Sequence, residues 1–260
     1  MQRGDIRYLN ILATFRNLSV EGCQVASDRG LLHFTNLHNQ SAWLVTDSER
    51  VNCQARRLDG GLWQHPPTFD KNPAKAWTLP GCWAAWPVGI LEAQPFPVIA
   101  LVEGAPDLLA AHHFIYAEGR ERDVAAVAML GASHRIHETA LPHFTGKRVR
   151  IYPHLDEAGR KAAERWTEQL ESVNADVDCF DLTGIPNVTA NGNWANLGFI
   201  AIHPFETGTT NALTFTNIAG ITGNLPRADR KRIGELFQSR PQDFIRIATV
   251  DNYYTAFIGN

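Results

Sequence analysis

The sequence predicts an α/β fold in which alternating strands and helices form a parallel sheet flanked by helices, after a small mixed α+β subdomain. Three short apolar runs carry this prediction, at residues 98–102, 124–129 and 148–152. Their β-branched and small apolar residues are typical of strands that are buried on both faces. Segments with helical character separate the runs, and strands that alternate with helices build parallel sheets.

The first run leads into the most informative stretch of the chain. The predicted strand over 98–102 ends at Glu103, and Gly104 permits a tight turn directly after it. Asp107 then falls at the start of a predicted helix over 108–116, where a carboxylate complements the positive end of the helix dipole.

The third run is followed by His154, Asp156 and a predicted helix that ends at about Leu170. In parallel sheets, ligands bind beyond the carboxyl ends of the strands. Glu103, Asp107 and Asp156 all follow such ends, so we expect their carboxylates to share one rim of the sheet. Carboxylates grouped in this way hold hard divalent cations such as Mg²⁺.

These motifs resemble a known family. Val-Glu-Gly-x-x-Asp at 102–107 and Asp-Glu-Ala-Gly-Arg-Lys at 156–161 are similar to the toprim domain of bacterial primases, topoisomerases and some nucleases. The element order, with Leu-Gly-Ala-Ser at 130–133 after the second strand, resembles the primase variant. The resemblance covers roughly residues 97–185 and, more weakly, 30–200.

The resemblance implies metal-dependent nucleotidyl transfer, that is, primer synthesis in DNA replication. It implies Glu103, Asp107 and Asp156 as catalytic residues, and Mg²⁺ or Mn²⁺ as the cofactor, held by Glu103, Asp156 and His154. The implied partners are DNA, as a single-stranded template, and nucleotides, together with a helicase or another replication protein. Toprim primases are common in mobile elements, which suggests such a setting for this chain.

Two positions depart from the family pattern. His154 stands where the family has an aspartate, and the segment 192–196 has no acid where the family has an acidic pair. A neutral imidazole adds no negative charge, and Mg²⁺ prefers oxygen ligands. An enzyme, a DNA primase-like nucleotidyltransferase, is therefore one reading beside two others: a DNA-binding or scaffolding protein with degenerate catalysis, and a toprim nuclease. A fourth, in which the acids merely cap helices of an unrelated enzyme, conflicts with the combined motifs.

Before the parallel sheet, the spacing of apolar residues predicts a helix over 5–18. Short β-prone segments then predict a β-meander with strands at 31–35, 42–46 and 51–57. This region resembles the subdomain that precedes toprim in primases. The resemblance places Arg56 and Arg57 on a basic surface for template or nucleotide, whereas a solvated strand arginine is the alternative. Arg160 and Lys161, beside the rim, are candidates for phosphate contacts or for ordinary solvated residues.

Four tryptophans, at 63, 77, 83 and 86, lie in a Pro-rich connection with interleaved lysines. Such aromatics form stacking platforms for single-stranded nucleic acid, or else pin an irregular connection to the core. The second interpretation is the commoner outcome for buried tryptophan, and we expect it here.

Composition narrows the protein class further. The chain has 260 residues, a formal net charge of −3 and four cysteines without a Cys-x-x-Cys pair. This argues against a disulfide framework or a zinc ribbon, and no run reaches the roughly 18 apolar residues of a membrane span. Without a visible signal peptide, we expect a cytoplasmic protein with no membrane partner.

We expect three units: residues 1–96, the primase-like β-rich subdomain; 97–200, the toprim-like domain; and 201–260, an extension of unknown role. In this extension, the residue pattern predicts a helix over 226–239 and a terminal hairpin over 244–258.

Overall fold

The computed structural model describes residues 2–64, 73–154 and 156–180, which contain two sheets of different kinds. The antiparallel sheet consists of β1 (Gln2–Arg3), β2 (Leu32–Leu37), β3 (Gln40–Thr46), β4 (Cys53–Arg57) and β5 (Ala76–Thr78), in that spatial order. The parallel sheet consists of β6 (Val98–Val102), β7 (Val124–Ala128), β8 (Arg148–Tyr152) and β9 (Asp176–Cys179), in the order β7-β6-β8-β9. The predicted fold class is confirmed.

Four α-helices accompany the sheets: α1 (Ile6–Arg16), α2 (Val20–Asp28), α3 (Ala105–Ala117) and α4 (Glu157–Glu171). A short 3₁₀ helix spans Leu141–Phe144. The helix predicted over 5–18 is shorter because Asp5 caps its start and Asn17 ends it in the left-handed region, at φ 54°.

Helix α2 was missed by the sequence reasoning. Its buried face consists of small residues, so it lacks the large apolar residues that make helical periodicity visible. Gly22 lies so close to α3 that a Cβ there would be 2.6 Å from the Cα of His113. Close packing of α2 on α3 therefore depends on the absence of a side chain at Gly22.

Strand β6 lies at the centre of the parallel sheet, and all five of its residues are buried. Successive side chains of a strand point to opposite faces. Accordingly Val98, Ala100 and Val102 pack in the cluster that contains α3, whereas Ile99 and Leu101 pack in the cluster that contains α4. In the part of the chain that the structure describes, helices thus cover both faces of the sheet, and its strand ends remain available for a ligand.

The strand register fixes which residues meet at the carboxyl edge. Val102, the last residue of β6, pairs with Ala128 of β7 and with Tyr152 of β8. Because all three strands run in the same direction, the residues just after them emerge side by side. Glu103 and His154 therefore start from neighbouring strands.

The Trp-rich connection is largely pinned to the core, as expected. Trp63, Trp77 and Trp86 are buried, and the indole of Trp63 donates a hydrogen bond to the carbonyl of Ala55. Trp83 differs from them, because it is 53% exposed and stacks on the ring of His137.

Several predictions fall outside the described residues: the acid-poor segment 192–196, the helix over 226–239, the hairpin over 244–258, the unit 201–260 and part of the unit 97–200. Within the residues that are described, no helix combines the length and apolar character that crossing a bilayer requires.

Candidate carboxylate site at the edge of the parallel sheet

Three side chains meet at the carboxyl edge of the parallel sheet. Glu103 directly follows β6, Asp107 lies in the first turn of α3, and His154 lies two residues after β8. Glu103 is 9% exposed and Asp107 only 2% exposed, so both carboxylates are almost withdrawn from water. The structure therefore brings together two of the predicted acids with the histidine that replaces a family aspartate.

Two glycines of the motifs are explained by packing against this site. A Cβ on Gly104 would lie 2.8 Å from Oδ2 of Asp107. A Cβ on Gly159 would overlap the backbone carbonyl of His154. Without side chains at these positions, α3 and α4 can begin close to the ends of β6 and β8.

His154 bridges the two carboxylates. Its Nδ1 lies 3.1 Å from Oε1 of Glu103, and its Nε2 lies 2.9 Å from Oδ2 of Asp107. A carboxylate oxygen accepts hydrogen bonds, so both ring nitrogens must donate, and only the imidazolium form has two N–H groups. Burial lowers the pKa of His154, but the hydrogen bonds and charges of Asp107 and Glu103 outweigh burial and raise this pKa to about 10.

The bridge leaves the site short of donors. Burial raises the pKa of Asp107, against the hydrogen bond from His154. Oε2 of Glu103 and Oδ1 of Asp107 are buried and have no hydrogen-bond partner. A buried acceptor without a donor costs roughly 1–3 kcal/mol. Two carboxylates also share a single histidine, so the arrangement favours a further cation or donor.

The two carboxylates fit a divalent cation better than the histidine does. Mg²⁺ is commonly bound by one or two carboxylates together with substrate phosphates, and the unpartnered oxygens of Glu103 and Asp107 suit that mode. His154 offers no lone pair while both nitrogens donate. In the described part of the chain, no group of three or more His, Cys, Asp and Glu side chains is arranged to hold a metal ion.

Asp156 has a different role in the structure. It is the N-cap of α4, and its Oδ1 accepts a hydrogen bond of 2.8 Å from the backbone N–H of Gly159. The side chain is exposed. This hydrogen bond is that of a helix cap. The catalytic and metal-binding role of Asp156 stays a prediction.

The two basic residues after Gly159 lie on the surface of α4. Lys161 donates to Oε1 of Glu157 at 2.6 Å, an exposed pair one helical turn apart. Arg160 is also exposed. Their predicted contact with phosphates stays a prediction.

The paired arginines of β4 have different environments. Arg57 forms an ion pair with Asp59 and donates to the carbonyl of Leu62. Arg56 is half-buried, and its Nε donates a long hydrogen bond of 3.4 Å to the amide oxygen of Gln54. Of the two arginines, Arg56 is therefore the one with charge available to a ligand.

Arg16, at the last turn of α1, was missed by the sequence reasoning. Burial and the Arg16 guanidinium lower the pKa of Arg56 to about 10, while the Asp107 carboxylate opposes this. Burial likewise lowers the pKa of Arg16, again against Asp107. Two half-buried guanidiniums thus act on each other beside the carboxylates. A basic residue that ends a helix is common, so no local pattern marks Arg16 as part of the site.

Comparison with known proteins found a family model that matches part of the chain. Residues 100–187 match a family model described as Toprim-like, so this part of the chain is a toprim-like domain. The matched residues include Glu103, Asp107, His154 and Asp156. A comparison with curated proteins found no match.

Similar solved structures come from bacteriophage T7. The primase fragment of the T7 primase-helicase protein is 19% identical, with a TM-score of 0.45, over 65% of this chain and 64% of that chain. The chain thus spans less than two thirds of the length of that fragment. A T7 lagging-strand DNA polymerase complex, with primase domains bound to an RNA/DNA hybrid and dTTP, is 20% identical, with a TM-score of 0.43, over 65% and 78% of the two chains.

Proposed function

We propose that this chain is a primase-like toprim protein that carries out divalent-metal-dependent nucleotidyl transfer, the chemistry of primer synthesis in DNA replication. One observation supports this most directly: Glu103 and Asp107 lie buried at the carboxyl edge of the toprim-like sheet, each with an oxygen that has no hydrogen-bond partner. A pair of carboxylates placed in this way is suited to a cation shared with phosphates.

In this proposal Glu103 and Asp107 hold the ion, which is Mg²⁺ or Mn²⁺. The ion supplies neutralisation of the charge that develops on the phosphates during transfer. His154 acts on the other oxygen of each carboxylate through its two hydrogen bonds. It thereby fixes the direction of both carboxylates, which saves the reorganisation that ligand binding would otherwise require.

Arg56 and Arg16 bind the phosphates of a single-stranded DNA template or an incoming nucleotide. Each guanidinium presents several donors in a planar fork that matches phosphate oxygens. Their mutual repulsion falls when an anion lies between them, and the half-buried setting strengthens that attraction relative to open solvent. Arg57, Arg160 and Lys161 are further candidates for contact with the nucleic acid.

The wider setting forms part of the same proposal. A replication protein of this type works in the cytoplasm with DNA, nucleotides and a helicase or another replication protein, and a mobile-element origin is consistent with it. The proposed boundaries of its units are 1–96, 97–200 and 201–260.

A second candidate is a DNA-binding or scaffolding protein in which catalysis has degenerated. Two features favour this binding protein. His154 already neutralises part of the carboxylate charge, and Asp156 serves as a helix cap. In that case the fold and the arginines would serve binding alone.

The test is template-directed primer synthesis on single-stranded DNA with Mg²⁺ and with Mn²⁺. The wild-type chain is compared with Glu103→Gln, which keeps the shape of the side chain but removes its charge. Glu138→Gln, an exposed acid outside the site, is the matched control. We expect product with the wild type and the control, and loss of at least 100-fold with Glu103→Gln, typical of a lost electrostatic contact to the reacting group.

The other outcomes identify the alternatives. DNA binding without product, unchanged by Glu103→Gln, would support the binding protein. Nicking of plasmid DNA that requires Glu103 would support a toprim nuclease instead.

A further inference from the structure

A cavity of about 330 Å³ lies apart from the carboxylate edge. Its walls come from the end of α2, from β2, from the β3–β4 connection and from the segment before β6. It therefore lies between the antiparallel sheet and the toprim-like body. Its volume is at the lower end of the range of ligand pockets, which favour such junctions.

Arg29 supplies this cavity with a fixed donor. Its guanidinium lies over the ring of Phe96, with Cζ 4.4 Å from the ring centroid, and its Nη2 donates to the carbonyl of Glu121 at 2.8 Å. These contacts orient the planar group, but its Nη1 is buried and has no partner. Burial lowers the pKa of Arg29 to about 10, which leaves the side chain charged at neutral pH.

Glu92 supplies an acceptor to the same cavity. Its Oε1 accepts a hydrogen bond of 2.7 Å from the backbone N–H of Ser48, which holds the carboxylate in place. Its Oε2 is buried and has no partner. A charged donor and a charged acceptor, each held by its other contacts, thus line one cavity without a partner for one of their atoms.

Two other polar side chains in the wall, those of Asp47 and Thr46, are already hydrogen-bonded. Asp47 accepts hydrogen bonds from the N–H groups of Val51 and Asn52, and the hydroxyl of Thr46 donates to the carbonyl of Asn52. Arg50, which is exposed, is a further cation in the wall. A ligand that suits the cavity therefore accepts from Arg29, donates to Glu92 and carries negative charge toward Arg50.

We propose that this cavity binds a guanine nucleotide. The Watson–Crick edge of guanine places the acceptor O6 beside the donors N1–H and N2–H, so one base edge can accept from Arg29 and donate to Glu92. The nucleotide phosphate then pairs with Arg50. Cytosine and adenine offer one exocyclic amine, and uracil one ring N–H, where guanine presents two adjacent donors to the carboxylate.

The proposal does not rest on the function proposed for the carboxylate edge, and the experiment separates the two. Calorimetric titrations with GMP, AMP, CMP, UMP and inorganic phosphate are performed on the full chain in EDTA, which removes cation-dependent binding at Glu103 and Asp107. We expect GMP to bind most tightly and inorganic phosphate most weakly. Glu103→Gln serves as a control and should leave GMP affinity unchanged.

Glu92→Gln is the decisive variant, because it retains the shape and the bond to Ser48 but replaces one carboxylate oxygen by an amide NH₂ group, which donates instead of accepting. We expect GMP affinity to fall about tenfold, as expected for one lost charge-assisted hydrogen bond. Arg29→Met keeps the apolar stem over Phe96 and should produce a similar loss, with circular dichroism confirming that the variant folds.

Three results would overturn the proposal: no GMP binding at millimolar concentration, equal affinity for all four nucleotides, or GMP affinity that Glu92→Gln leaves unchanged. If GMP binding is lost with Glu103→Gln but kept with Glu92→Gln, the nucleotide binds at the carboxylate edge and the cavity assignment is wrong.

Discussion

The parallel sheet buries charge in two places, and the two differ in how completely that charge is satisfied. Between β8 and β9, Arg150 and Asp178 face each other in register and form a two-bond fork, with Nε 2.7 Å from Oδ1. At the carboxyl edge, Glu103 and Asp107 share the single cation His154. The side chains at both places have little exposure to water. In the fork each charged side chain has one partner of opposite charge, whereas at the edge two carboxylates share one histidine.

This difference separates a structural ion pair from a candidate functional site. A guanidinium and a carboxylate are geometrically matched, so the Arg150–Asp178 pair is electrically neutral. The edge retains two carboxylate oxygens without donors. A protein gains no stability from buried acceptors without donors, whereas a site that must attract a cation requires such acceptors.

The largest effect is expected at the fork. Arg150→Met should reduce the free energy of unfolding by about 3–5 kcal/mol, because it removes a buried guanidinium and leaves the charge of the half-buried Asp178 poorly compensated. Denaturant unfolding measures the change. The double variant Arg150→Met/Asp178→Leu should recover most of the loss, since neither charge then remains. A double variant as unstable as the single one would show that the pair is not the unit that matters.

The next effect is expected at the edge. His154→Ala should lower the free energy of unfolding by about 1.5–3 kcal/mol, the usual size for hydrogen bonds to charged groups. At the edge, unlike at the fork, an added cation should offset the loss of the histidine. Mg²⁺ or Mn²⁺ should therefore raise the melting temperature of His154→Ala more than that of the wild type. His137→Ala, which removes a ring that stacks on Trp83, is the control and should show no such metal dependence.

The pH dependence of the edge tests the charge of His154 separately from its ring, because neutral imidazole still donates one hydrogen bond. The pKa of His154 is about 10 in the folded chain and about 6.5 in unfolded chains. A raised folded pKa means that the stabilisation is complete below about pH 6.5 and is lost as pH rises toward 10. Unfolding measured from pH 6 to 10.5 should show this loss in the wild type but not in His154→Gln. Parallel curves would contradict the bridging role.

The smallest effect is expected for Asp156. Asp156→Ala should cost about 1 kcal/mol of stability through loss of the N-cap of α4. Asp156→Asn should retain most of that stability, because asparagine also caps helices. Mn²⁺ titration of both variants then decides the remaining role of Asp156. Unchanged metal affinity fits a cap alone, while a fall of tenfold or more would make Asp156 a ligand, as the family resemblance implies.

Much of this architecture could be predicted because its signals are local. The apolar run of β6 is continuous and rich in β-branched residues, Glu103-Gly104 marks its end, and Asp107 marks the start of α3. Helix α2 gave no comparable signal, since small residues bury its inner face.

The sequence by itself determined the alternation of strands and helices, and therefore the sheet edge at which Glu103, Asp107 and His154 emerge. It could not determine how these three share their protons and bonds, nor that Asp156 turns back to cap α4 or that Arg16 approaches Arg56. Those arrangements depend on distances between segments far apart in the chain, and only close packing fixes such distances. The tertiary structure alone therefore decided which acids keep unsatisfied charge.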